Sequence, residues 1–213
     1  MRISEIDYLD QNRQQYTDKL NLRLVDSGPM GRMFKDLVAD GKINPSVARS
    51  ADNYLGLMSK CGTRGNCAMT RFRSQHMLAI QLDKRTGKKK ASANRQGITP
   101  EEYEQYGIHI EHSVPVNLKI RIITAKYAAG QITDYKTFTD MYQTLSVGVG
   151  MTRREENANL LPGMGSNHPD ITGDLAAIDI GSIRPFARYS DDTVIYDMTT
   201  GKPVDLNITL KQI

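Results

Sequence analysis

Two short segments hold the side chains best suited to chemistry, IEHSVP at 110–115 and NLLPGMGSNH at 159–168. Between them they offer one carboxylate, Glu111, and two imidazoles, His112 and His168. Hydrolysis of a phosphodiester near neutral pH needs a group that deprotonates water and a cation that holds the phosphate and stabilises the leaving oxygen. A neutral histidine has the right pKa for the first task. A magnesium-like divalent ion, held by a few oxygen or imidazole ligands, performs the second.

Glu111 and His112 are neighbours, which limits how they can cooperate. Successive side chains of a strand face opposite sides, so His112 shares a face with Ile110 and Val114 while Glu111 shares the other with His109. Both serve one site only where the strand twists or ends, and Pro115 points to such an end.

EHSVP at 111–115, followed by NLLPGMG at 159–165 and then SNHPD, resembles the HNH, or ββα-metal, endonucleases and among them the bacterial endonuclease I subgroup. The match runs from Ile110 to Asp170. It implies a small ββα-metal nuclease core; with the helices inserted between its two strands, a helical N-terminal annex and a C-terminal β-hairpin, which are read from the sequence pattern, the expected fold is α+β. It also implies a DNA endonuclease leaving 5′-phosphate and 3′-hydroxyl ends. In that scheme His112 is the general base, Glu111 binds or orients the metal and its waters, and Asn159 ties the loop between the motif segments. The metal ligand on the motif helix is His168 by count, with Asn167, one residue away, as the alternative. The expected ion is Mg2+ or another divalent cation such as Mn2+. The paired CxxC motifs that carry zinc in many HNH proteins are missing, so no structural zinc is expected. Pro169 suits a helix that starts there.

Other elements must position these residues. Helical spacing marks Met33, Phe34, Leu37 and Val38 between the Gly28–Pro29 break and Gly41, and Asn44 with Pro45 opens another helix. Ile6, Leu9, Leu20, Leu22 and Leu24 suggest further helix upstream, and Thr99–Pro100–Glu101–Glu102 is a helix start. A strand is expected from His76 to Asp83, another through GIHIEHSVP, and helices over 116–129 and 134–145. Gly148 and Gly150 loosen the chain. TVIYDM and VDLNITL, joined by TTGKP, read as a terminal hairpin. The whole, 1–213, is read as a single nuclease domain: a helical annex (1–60), a basic strand and hairpin region (61–98), the core (99–180) and a β-rich tail (181–213).

Lys84, Arg85, Lys88, Lys89, Lys90 and Arg95 put six cations in twelve residues with no acid, and Arg64, Arg71 and Arg73 lie just upstream. A solvated hairpin tip would look the same, but contact with the phosphates of double-stranded DNA is the better reading. Arg184 and Arg188 are as suited to clamping a phosphate as to an ordinary surface. Glu155 and Glu156 read as solvated. Cys61 and Cys67 allow free thiols, a disulfide or, with His76, half a zinc site.

The composition is that of a globular protein, 39% apolar and 24% charged, and the net charge of +4 leans weakly towards a polyanionic partner. No apolar run approaches the ~20 residues of a membrane span, and the charged N-terminus lacks the apolar core of a signal peptide, so a cytoplasmic location is expected. Two rivals share these features: a non-catalytic nucleic-acid-binding protein, and a ribonuclease or nuclease toxin of the same fold.

Overall fold

The computed structural model describes residues 28–55, 71–75, 108–197 and 200–213. Within them the chain is mixed α and β, with five α-helices and a five-stranded sheet. The helices are α1 (Pro29–Asp40), α2 (Pro45–Leu55), α3 (Val116–Ala128), α4 (Tyr135–Thr144) and α5 (Arg153–Asn159). The strands are β1 (Phe72–Ser74), β2 (Ile108–His112), β3 (Gly148–Thr152), β4 (Ile195–Asp197) and β5 (Lys202–Pro203), in the order β2-β3-β1-β4-β5. No helix among the described residues is long and apolar enough to cross a membrane.

Local chemistry explains the helix ends. Proline opens both α1 and α2, where its missing N–H costs nothing. Asn44 Oδ1 accepts the Ser46 amide at 2.9 Å, as a capping residue should. Gly41 ends α1 at φ 63°, a left-handed conformation that glycine adopts without strain. Asp134 caps α4 by accepting the Thr137 amide at 2.8 Å. α1 packs on α2 and α4, α2 on α3, and α3 on α4, with Phe34 of α1 set against Tyr135 and Phe138 of α4. Met30, Met33, Leu37, Leu118, Ile122 and Phe138 from these helices belong to one buried core that also includes Phe72 and Val149 of the sheet.

The sheet departs from expectation at β3. Gly148 and Gly150 do not loosen the chain but lie in an interior strand, antiparallel to β2 on one side and parallel to β1 on the other. Pairing along both edges overrides the weak strand propensity of glycine. The register sets His112 opposite Gly148, so no side chain on β3 competes for the space beside it.

β3 leads directly into α5, which packs against both β2 and β3. Thr152 and Glu155 close a capping box: the Glu155 amide donates to Thr152 Oγ1 at 3.1 Å, and the Thr152 amide donates to Glu155 Oε2 at 2.9 Å. Glu155 is therefore buried, not solvated, and also accepts the Ser74 hydroxyl from β1 at 2.5 Å. Glu156 pairs with Arg153 at 2.6 Å.

The helix expected from Pro169 is replaced by turns through 169–179. The Asp170 amide is taken by the His168 ring at 3.2 Å, and Gly173 bends the chain at φ 71°. Asp170 is held by Arg184 further along the chain, which draws this segment away from a helical path. The terminal hairpin exists, but its second strand is Lys202–Pro203, inside the segment read as its connection. VDLNITL instead turns, because Asp205 Oδ1 accepts the Asn207 amide and the Gln212 side chain folds back on Thr209.

The strand expected over His76–Asp83, the helix start at Thr99, the upstream helix with Ile6 to Leu24, and Cys61, Cys67 and Arg64 all lie outside the described residues. So does the basic run of Lys84, Arg85, Lys88, Lys89, Lys90 and Arg95.

Candidate active site

β2 ends at His112, and Glu111 and His112 are both paired within it, opposite Val149 and Gly148. The Glu111 side chain is buried and the His112 side chain is half-buried. The second motif segment begins at the last residue of α5, Asn159. From there 159–161 runs antiparallel to 188–190: the Ser190 amide donates to the Asn159 carbonyl at 2.8 Å, and the Leu161 amide donates to the Arg188 carbonyl at 2.9 Å. The Asn159 contact is made by its main chain, to the 188–190 segment.

Arg188 joins the two segments. Its side chain is 0% exposed. Nη1 donates to Glu111 Oε1 at 2.8 Å and also to the His112 carbonyl. On its other side Nε donates to the Met164 carbonyl at 2.8 Å, and Nη2 donates to the same oxygen. One guanidinium therefore holds the end of β2 and the NLLPGMG loop together. Its planar fork lets it reach both sides at once. Arg188 is thus neither a surface cation nor, buried as it is, a clamp for an external phosphate.

Arg184 is also committed internally. It grips Asp170 through Nη2 at 2.5 Å, Nε at 3.0 Å and its own amide at 2.9 Å. Burial would raise the Asp170 pKa, but these hydrogen bonds and the Arg184 charge outweigh it and hold the carboxyl below the usual range. Arg71 pairs with Asp197 at 2.9 Å and donates to the Ile213 carbonyl, while Arg73 is 1% exposed. Neither is placed for the phosphate contact its composition suggested.

His168 is 2% exposed, and burial drives its pKa down to about 4, with Asp170 opposing and Arg188 assisting the shift. Its Nδ1 accepts the Asp170 amide, so the neutral ring carries its proton on Nε2. That Nε2 has no partner among the described residues. Asn167 is exposed, and its side-chain amide donates to the Gly163 carbonyl at 3.0 Å, next to the Met164 that Arg188 holds. The Tyr189 hydroxyl, beside Arg188 in the chain, has its pKa raised by burial and by the Glu111 charge.

These facts bear on the divalent ion. A ligating nitrogen must be unprotonated, so His168 can bind a cation only by surrendering the Asp170 amide. The side-chain oxygen of Asn167 carries no such cost, and oxygen suits a magnesium-like ion. Among the described residues no group of three or more His, Cys, Asp or Glu side chains is arranged to hold a metal.

The capping box was not picked out from the sequence, and Arg188 was singled out only as a phosphate clamp or a surface cation. T-R-R-E at 152–155 carries the S/T-x-x-E signature and would have placed α5. The only hint for Arg188 is its apolar setting, between Phe186 and Tyr189. The chain matches no protein-family profile, no curated protein and no solved structure.

The His168 shift fixes a pH dependence. Its folded pKa, about 4, lies below the ordinary 6.5, so the unfolded chain binds the proton more tightly and stability falls as pH drops below about 6.5. Denaturant titrations with chelator present should show wild type losing on the order of 2 kcal/mol more than His168→Asn between pH 7 and pH 5. Parallel losses in the two proteins would mean that the ring is not buried neutral.

Proposed function

We propose that this protein is a metal-dependent endonuclease of the HNH type that hydrolyses phosphodiester bonds of double-stranded DNA in the cytoplasm. The observation that carries this reading is the Arg188 tie, which links the Glu111 side chain and the His112 main chain to the NLLPGMG loop although the two segments are far apart in sequence. β2 and β3 pair antiparallel with two helices inserted between them, as the reading expects, but α5 ends at Asn159 and turns replace the motif helix expected after His168.

In this reading His112, at the strand end opposite Gly148, takes the proton from the attacking water. Glu111 and Asn167 are the residues that would hold Mg2+ or Mn2+, with His168 as the alternative ligand. The bound ion would stabilise charge on the phosphate and the leaving oxygen. Glu111 is oriented by Arg188, and Asn167 by its bond to the Gly163 carbonyl. The basic run, Lys84 to Arg95, would grip the DNA backbone, where each neutralised phosphate releases condensed counterion.

The test is cleavage of a supercoiled plasmid with magnesium, with and without chelator, alongside a matched RNA. Wild type should nick or cut the plasmid, and chelator should abolish it. His112→Ala should lower the rate by about 10²–10⁴ with DNA binding retained, the usual scale for a general base. A folded variant within tenfold of wild type would remove His112 from the chemistry. Binding without any cleavage would favour a non-catalytic DNA-binding protein, and preference for RNA a ribonuclease.

Metal titration separates the two ligands. Asn167→Ala should raise the magnesium concentration needed for half-maximal activity more than His168→Ala does. The reverse order would assign the ion to His168.

A further inference from the structure

We infer that Arg188 is a positioning residue of this site, setting the distance between the His112 strand end and the metal-side loop without touching the substrate. The inference rests on the proposed nuclease reading for its catalytic consequence, but its structural content stands on geometry alone.

Three observations support it. The side chain is fully buried, so it presents no surface to a phosphate. Its acceptors fall on two segments far apart in sequence: Glu111 Oε1 and the His112 carbonyl on one, the Met164 carbonyl on the other. Its own carbonyl accepts the Leu161 amide, so backbone and side chain of one residue grip the same loop. A buried carboxylate needs a cationic partner, and the partner chosen here also fixes where the strand ends. A lysine cannot reproduce this, because a single ammonium lacks the planar fork that reaches both sides. Catalysis depends on such spacing, since a misplacement of about 1 Å can cost on the order of 10²-fold in rate.

The experiment uses the full chain and compares wild type, R188K and R188A by thermal melting, plasmid cleavage and amide hydrogen exchange. R188K keeps the charge, so it serves as the folded variant should R188A fail to fold. R188K should lower kcat on the order of 10²-fold with KM for DNA within about threefold. Guanidinium added to folded R188A should restore part of that loss. Hydrogen exchange should show 111–113 and 161–165 losing protection together in R188K while α3 and α4 keep theirs. A raised KM with unchanged kcat would overturn the inference in favour of a phosphate contact. Unchanged protection of both segments would overturn it whether or not the wild type cleaves DNA. A wild type without nuclease activity, but with the coupled loss of protection, would sink the functional reading and leave the tie standing.

Discussion

The site depends on one buried ion pair. Glu111 and Arg188 meet at 2.8 Å with the arginine fully removed from solvent. Taking two charges out of water costs several kcal/mol each, and their attraction repays that only when the remaining donors and acceptors are also met. Here the guanidinium also donates to the His112 and Met164 carbonyls besides the carboxylate. Such a pair adds little net stability compared with a well-packed apolar alternative. What it supplies is a defined arrangement, because few other placements of β2, the 159–168 loop and the 184–190 segment satisfy every group.

Around this pair the rest of the fold acts as support. The capping box starts α5 directly after β3, so the loop that follows emerges beside the end of β2. Arg184 and Asp170 then fold the chain back, bringing Arg188 to the place where it is needed. His168 lies inside this return, buried and held by the Asp170 amide. Its protonation state is therefore part of the local packing. Under the proposed nuclease reading, that same bond favours the Asn167 oxygen over the His168 nitrogen as the metal-side group.

The sequence made much of this frame legible, and the reasons are physical. α1, α2, α3 and α4 were readable because apolar spacing and caps such as Asn44, Gly41 and Asp134 act locally. The end of β2 was readable from Pro115. What escaped was decided by distant partners. β3 was hidden because Gly148 and Gly150 have weak strand propensity and gain their conformation from β1 and β2. Glu155 and Arg188 looked like surface charges because nothing within a few residues reveals that Ser74 or Glu111 will meet them. The helix expected at Pro169 failed for the same kind of reason: Asp170 is held by Arg184 further along the chain, and Gly173 turns the backbone at φ 71°. The motif residues Glu111, His112 and Asn159 were named from the sequence, but the residue that brings their segments together was read as a surface cation or a phosphate clamp.

The most direct measurement of this account is a double-mutant cycle on folding stability with Glu111→Gln and Arg188→Met, read by denaturant unfolding at neutral pH. If the pair organises the site, Arg188→Met alone should cost roughly 3–5 kcal/mol, because it strands a buried carboxylate. The double variant should then be less destabilised than the sum of the singles, with a coupling of at least about 2 kcal/mol. Additivity within about 0.5 kcal/mol would contradict the account. It would mean that the two charges do not depend on each other and that something else holds the motif segments together.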